Sequence, residues 1–405
     1  MNTPFSIPPY IARETYLDRM EPFIGKPIIK VLTGQRRVGK SYLLFQIMDR
    51  LKQLNPAINI IYINKEDLSF AGLRKADDLN DYVKTQHIQN KHNALFIDEI
   101  QDIEDFHLAL RSILLWPDTD IYITGSNANL LSSDLAGYLS GRFIEFQVFS
   151  LSYLEFLKFH QLQNDEGSLH LYLKFGGLPY IKHLPLTDTV VFEYLKNIYN
   201  TIIYRDVVNR FAIRNTIFLE RLVQFLAQHS GSLFSAKKIS DYLKSQQIKI
   251  NPAQVIQYLG YLASAFLVFP VARYDIQGKR LFEFGEKHYF ENNGIRNAIA
   301  GYRPQDMHMV VESVVCHHLK YGGYDLKVGE INGNEIDFVA EKGGETIYFQ
   351  VALRINEEKT IEREFGNLDK IPDHFPKKVI SLESFQGNTY KGIEYQSLQN
   401  FLSSY

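Results

Sequence analysis

The stretch Val31–Leu44, VLTGQRRVGKSYLL, runs an apolar segment into Gly34, four further residues, then Gly39-Lys40-Ser41 and a second apolar segment. Its glycines, lysine and serine fit the spacing G-x-x-x-x-G-K-[ST]. The preceding PIIKVLT reads as a buried strand, and the following KSYLLFQIMDRL carries the apolar spacing of a helix. Strand, glycine loop and helix in that order predict an α/β P-loop domain built on a parallel sheet. The glycines let backbone N–H groups curl around a phosphate, and the helix N-terminus adds partial positive charge. The expected nucleotide contacts are Gly34, Gln35, Arg36, Arg37, Val38, Gly39, Lys40, Ser41 and Tyr42. In such a loop the lysine reaches the β- and γ-oxygens and the Ser41 hydroxyl ligates Mg²⁺.

A second apolar strand, NALFIDEIQ (93–101), ends in Asp98 and Glu99. Carboxylates at the C-terminal end of a parallel strand lie at the crevice of an open α/β sheet. Asp98 is therefore expected to hold the metal, and Glu99 to act as general base toward water. A third strand, DIYITGSNANLL (120–131), stops in small polar residues at the same edge. Ser126 and Asn127, with Thr124, are placed to orient water against the γ-phosphate, although Asn127 also suits a helix N-cap. Arg142 then precedes the strand-like FIEFQV. Alone it would be a surface residue, but its place after three nucleotide-site elements suggests a charge-stabilising arginine, on its own site or a neighbour's.

These four segments, TGQRRVGKS, LFIDEIQ, ITGSNANLLS and LSGRFIEF, resemble those of the bacterial and archaeal AAA-type ATPases that carry a C-terminal restriction-endonuclease-like region of unknown function. The resemblance implies an AAA- or RecA-like core that binds and hydrolyses ATP with Mg²⁺. It marks Gly34, Gly39, Lys40 and Ser41 as the Walker A loop, Asp98 and Glu99 as Walker B, residues 124–127 as a sensor and Arg142 as the conspicuous arginine. It also makes an oligomer an expectation, since AAA proteins often form rings.

The remaining chain is long enough for further domains. With 405 residues, roughly two to four are expected. A hydrophobic share of 45% and a charged share of 22% are those of an ordinary globular protein. The net charge of −2 provides no global polycation, so nucleic-acid binding would need a local patch. The single cysteine, Cys316, excludes disulfides within one chain and cysteine-based zinc sites. The N-terminus does not read as a secretory signal, and no apolar run is long enough to span a bilayer, so a cytoplasmic home and no membrane partner are expected. The 25 tyrosines and 28 phenylalanines are read as filling several small cores; the alternative, base-stacking platforms, would need aromatics interleaved with basic residues on one exposed face.

Four regions follow: the ATPase core at 1–150, a helical lid at 151–215, a winged helix at 216–285 and an α+β restriction-endonuclease-like domain at 286–405. The lid rests on helical spacing in LSYLEFLKFHQL and TVVFEYLKNIYNTIIYRDVVNRF, broken by FGGLPYI. Its Arg205 and Arg210 read as solvated charges or nucleotide sensors. The winged helix rests on three helical segments, with Ser235 and Asn251 as N-caps and Pro252 at a first helical position, then two strands around Gln277–Gly278. Residues 236–287 hold eight Lys/Arg against four Asp/Glu, among them Lys237, Lys238, Lys249, Arg273, Lys279 and Arg280. That local excess could meet double-stranded DNA phosphates. The expected recognition helix is largely apolar, however, with only Gln254 and Gln257 for base edges, so a protein partner is the competing expectation.

In the last region Glu312, Asp337 and Gln350 occupy the positions of a PD-(D/E)XK nuclease site, but Ala352 stands where the lysine belongs. Arg354 could offset charge but cannot relay a proton. The domain is therefore expected to be a degenerate nuclease, with metal-dependent DNA cleavage the weaker alternative. His317 and His318, adjacent on a helix, should face different directions and make a poor metal pair.

Overall fold

The computed structural model describes residues 7–404 except 129–136, 140, 249, 356–357 and 384–386. Lys249 and most of the segment after Asn127 thus lie outside the described residues. The chain divides into two compact units, Met1–Phe149 with Ser264–Phe266, and Ser150–Ala263 with Leu267–Tyr405.

The first unit is a five-stranded sheet in the order β2-β3-β4-β1-β5. Its strands are β1 (Ile29–Thr33), β2 (Asn59–Asn64), β3 (Asn93–Asp98), β4 (Thr119–Gly125) and β5 (Phe143–Gln147). Every pairing is parallel. Strands β1 and β3 are buried on both faces, which is why they read as continuous apolar runs rather than alternating ones. Helices α1 (Glu14–Met20), α2 (Lys40–Leu54), α3 (Ala76–Gln86) and α4 (Phe106–Ile113) connect or flank them. Ile29, Val31, Leu95, Ile97, Ile121 and Ile123 form a core with Leu79, Val83 and Leu110 from α3 and α4.

Two charges are buried in that sheet. Lys30 on β1 has no exposed side-chain area and pairs with Asp120 on β4. Asp120 also accepts from the Gly25 N–H at 2.8 Å and the Tyr122 hydroxyl at 2.6 Å. Burial pushes the Lys30 ammonium down, and Asp120 opposes that shift.

The second unit begins with α5 (Tyr153–His160), α6 (Glu166–Phe175) and α7 (Asp188–Thr201), the last continuing as a π-helix over Ile202–Asn209. The Ser152 and Glu155 side chains form a capping box at the start of α5. Next come α8 (Thr216–Gln228), α9 (Ala236–Ser245) and α10 (Pro252–Ser264), followed by the hairpin β6 (Val268–Asp275) and β7 (Arg280–Phe290). The expected caps form: Ser235 accepts from the Lys238 N–H, and Asn251 from the Gln254 N–H at 2.8 Å. Beyond lie α11 (Asn293–Ala300), α12 (Met307–Tyr321), β8 (Asp325–Ile331), β9 (Asn334–Lys342), β10 (Glu345–Ala352), α13 (Glu358–Asp369), β11 (Lys377–Ser381), β12 (Thr389–Tyr390), β13 (Ile393–Ser397) and α14 (Leu398–Leu402).

The hairpin is not a free-standing wing. It joins one eight-stranded sheet, β12-β13-β11-β10-β9-β8-β6-β7, through parallel pairing of β6 with β8. Residues 151–215, read from sequence as a lid on the nucleotide domain, belong to this second unit. Leu151, Tyr153, Phe156 and Leu169 share a core with Val311 and Val315 of α12 and Phe338 and Phe349 of the sheet. Amphipathic spacing announces an apolar stripe but not what covers it.

Asp120→Asn leaves the Lys30 ammonium buried without its counter-charge and should cost about 3–5 kcal/mol. Denaturant unfolding of the first unit measures this, and adding Lys30→Met should recover most of the loss. His288 on β7 is buried, its ring stacked on Phe234 at 5.4 Å, and burial pushes its pKa down to about 4. Because this lies below the unfolded value of about 6.5, neutral His288 supports folding fully above that pH, and the support is lost as pH falls toward 4. His288→Phe should remove up to about 1.4 kcal/mol per pH unit from the acid slope of stability between those limits, read from unfolding midpoints.

Candidate functional site

The C-terminal edge of the first sheet gathers most of the residues singled out from sequence. Strand β1 ends at Thr33 and delivers the chain to Gly34, whose φ of 143° and tight setting exclude any side chain. A Cβ there would lie 2.1 Å from the Val148 carbonyl oxygen. The loop closes at Gly39, φ 101°, and α2 begins at Lys40. Lys40 is buried and donates to the Gly34 and Gln35 carbonyls at 2.9 and 3.1 Å, folded back on its own loop. Gln35, Arg36 and Val38 are buried, whereas Arg37 and Tyr42 are exposed.

Parallel register brings the carboxylates to the same edge. Thr33 pairs with Gly125, and Ile97 with Ile123, so Asp98 at the end of β3 lies level with Thr124 on the intervening β4. The Thr124 hydroxyl donates to Asp98 and accepts from the Glu99 N–H at 3.0 Å. Ser41 also hydrogen-bonds the Asp98 carboxylate. Burial raises Asp98 above its ordinary range, and these hydroxyls only partly offset it. Glu99, at a left-handed φ of 59°, behaves oppositely. Burial, the largest influence, would raise it, but Lys40, Arg36 and hydrogen bonding to its carboxylate together hold it below the usual range. Gln101 donates a further hydrogen bond to it. Ser126 and Asn127 are buried where β4 ends.

Arg142 is not part of this gathering. Its carbonyl accepts from the Ile29 N–H at 3.0 Å, at the entry of β1 rather than its exit. Five residues of strand, at about 3.3 Å each, separate it from the loop. Its side chain is exposed at the opposite edge of the sheet.

Several supporting residues were not singled out from sequence. Arg13 is buried and donates through Nη1 to the carbonyls of Val38 in the loop and Phe149 beyond β5, at 3.0 and 3.1 Å. The Gln46 side chain accepts from the Arg13 N–H, and Glu66 pairs with Arg36 at 3.2 Å. Each contact joins positions 25 to 136 residues apart, so local pattern carries no sign of them.

Ser41 and Asp98 together present hard oxygen donors, a hydroxyl and a carboxylate, of the chemistry that Mg²⁺ selects. Among the described residues, no group of three His, Cys, Asp or Glu side chains has the arrangement of a metal centre, so a metal here would complete its shell from phosphate and water. No helix among them is long and apolar enough to cross a membrane.

Comparison with known proteins accords with this geometry. A family model described as an AAA domain matches residues 26–157, and a second, described as a domain of unknown function, matches residues 166–306. An uncharacterised protein of Haemophilus influenzae is 34% identical over 392 residues, covering 95% of this chain and 96% of its own length. An uncharacterised protein of Methanocaldococcus jannaschii is 34% identical over 265 residues, covering 62% of this chain and 58% of its own length. The solved Walker-type ATPase of Pyrococcus abyssi shares the fold over 72% of this chain and 96% of its own, at 15% identity and a TM-score of 0.50. With a parallel P-loop sheet, an AAA domain and 34% identity to the Haemophilus influenzae protein over 95% of this chain, the chain belongs to that protein's family of AAA-domain, P-loop ATPase-fold proteins.

Proposed function

We propose that the chain is a Mg²⁺-dependent ATPase whose nucleotide state is transmitted to its second unit. The observation that carries this reading is the convergence of Lys40, Ser41, Asp98, Thr124 and Glu99 on one sheet edge. The loop Gly34–Tyr42 cradles the phosphates, and Lys40 exchanges its two backbone carbonyls for β- and γ-oxygens. Ser41 and Asp98 would hold the magnesium ion, which supplies neutralisation of the charge on the transferring phosphoryl group. Glu99, kept ionised by Lys40 and Arg36, accepts a proton from the attacking water. Thr124 fixes both acidic residues, and Ser126 and Asn127 orient the water. Arg142, remote from its own loop, acts on the nucleotide of a neighbouring copy in an oligomer.

A protein partner for the second unit is supported over DNA. The three helices and hairpin keep the element order of a winged helix. Arg273 of the hairpin is taken up by Glu330 at 2.6 Å, and Lys287 is buried. Helix α10 carries no charge, and Ile256 on it is 60% exposed. The order α12, β8, β9, β10, α13, β11 supports a restriction-endonuclease-like core. Slow hydrolysis in a nucleotide-gated binding module is the alternative within the same reading. A turnover that double-stranded DNA fails to stimulate at low salt favours the protein partner.

Glu99→Gln should keep ATP binding while turnover falls by about 10²–10⁴-fold, and Lys40→Ala should lose both. Persistent turnover in both variants, measured as phosphate release, ends the assignment. Arg142→Ala should lower turnover by about 10³–10⁵-fold where the arginine acts as a finger. Mixing Arg142→Ala with Lys40→Ala protein should restore part of it, since each copy then supplies what the other lacks. A mixture no more active than its components refutes action between copies.

A further inference from the structure

The main chain passes from the first unit to the second at Phe149–Ser150 and again at Phe266–Leu267. The phosphate loop holds the first-unit side of both passages. Gln35, with no exposed area, donates through Nε2 to the Phe266 carbonyl at 3.1 Å. Arg13 Nη1 joins the Val38 carbonyl of the loop to the Phe149 carbonyl, at 3.0 and 3.1 Å. One residue, the buried Glu291, takes up the second-unit side of both. Its Oε1 accepts from the Ser150 N–H at 2.6 Å, and its own N–H donates to the Leu267 carbonyl at 3.1 Å. Each of these hydrogen bonds lies within one unit, and two peptide bonds complete the circuit.

A static scaffold would account for these ties but not for what surrounds them. Among the described residues, Gln35 Oε1, Glu291 Oε2 and Asn292 Nδ2 are buried without a hydrogen-bond partner. Interiors rarely leave such groups unmatched. Phe266 sits at a left-handed φ of 55°, a conformation that a non-glycine residue keeps only where its surroundings hold it. Ser150, Glu291, Asn292 and His317 border a void of about 10 Å³, with His317 Nε2 3.2 Å from Ser150 Oγ and 3.6 Å from Glu291 Oε1. The Glu291 carboxyl thus has room to turn and unused partners to turn toward, which is what a two-state element requires. Its movement is carried onward. Asn292 caps α11 by accepting from the Ile295 N–H at 3.1 Å, and Arg296 on α11 donates to the Ala227 carbonyl of α8 at 2.7 Å.

We propose that Glu291 is the joint through which the phosphate loop sets the state of the second unit, closed while Lys40 holds the Gln35 carbonyl and opened when nucleotide phosphates draw Lys40 away. Lys40 donates to that carbonyl at 3.1 Å, so its departure frees the residue that fixes Phe266. The tie at Leu267 then slackens, Glu291 releases the Ser150 N–H and turns its carboxyl toward Asn292, and the start of α11 loosens. The joint rests on the ATP-binding reading above, and names the residue by which that binding is felt outside the first unit.

The test uses the full chain with Mg²⁺ and a non-hydrolysable ATP analogue. Hydrogen–deuterium exchange should slow across residues 34–42 and quicken at the Ser150 and Glu291 amides, each by about fivefold or more. Glu291→Ala opens the circuit beforehand, so by reciprocity it should bind the analogue about fivefold more tightly, a gain that misfolding cannot mimic. Glu291→Gln, which keeps an acceptor oxygen for the Ser150 N–H, should bind it as the unaltered chain does. Residues 34–42 left unprotected would end the nucleotide reading, and the joint with it. Protection there with unchanged exchange at Ser150 and Glu291 overturns the joint alone. So does a Glu291→Ala protein with native exchange across β9 and β10 that binds the analogue no more tightly than the unaltered chain.

Discussion

One hydroxyl group organises the nucleotide edge. Thr124 Oγ1 donates to the Asp98 carboxylate and accepts from the Glu99 N–H, so a single side chain on the middle strand fixes two acidic residues of its neighbour. A buried N–H or carboxylate left without such a partner would cost about 1–3 kcal/mol, more for the charged group. The arrangement exists only because β4 lies between β1 and β3, with its end in register with both. Strand order, more than any local motif, therefore sets where the two carboxyl groups sit relative to Lys40.

The opposite behaviour of Asp98 and Glu99 follows from the same packing. They are adjacent in sequence and both buried, yet burial prevails at the first, while at the second it is overcome by Lys40, Arg36 and hydrogen bonds acting together. The left-handed backbone at Glu99 parts the two side chains onto different surroundings. Such a backbone costs about 1–3 kcal/mol for a non-glycine residue, and the hydrogen bond from its N–H to Thr124 helps to hold it.

The phosphate loop, the carboxylate strand and the caps at Ser235 and Asn251 were legible because each is a local pattern whose chemistry is written within about ten residues. Arg13, Glu66 and Lys287 were not, because their roles exist only once distant strands are brought together. Lys287 reads in sequence as one more cation of a basic segment. Only the pairing of β6 and β7 into the larger sheet carries it among Glu312, Glu335 and Asp337. Similarly, the helical spacing of residues 151–175 was plain, but its partner, the core around α12, lies more than a hundred residues away.

The hairpin β6–β7 has two allegiances: it follows three helices as the end of one module and supplies the terminal two strands of the sheet that serves the next. A protein fragment cut near residue 291 would leave the hairpin's β6 backbone unsatisfied, and the complementary fragment would bare the N–H and C=O row of β8. Exposed strand edges of that kind recruit other strands. Separately expressed halves should therefore be sticky toward each other and toward themselves, and the boundary that sequence suggests is one the backbone hydrogen bonds do not permit to be severed cleanly.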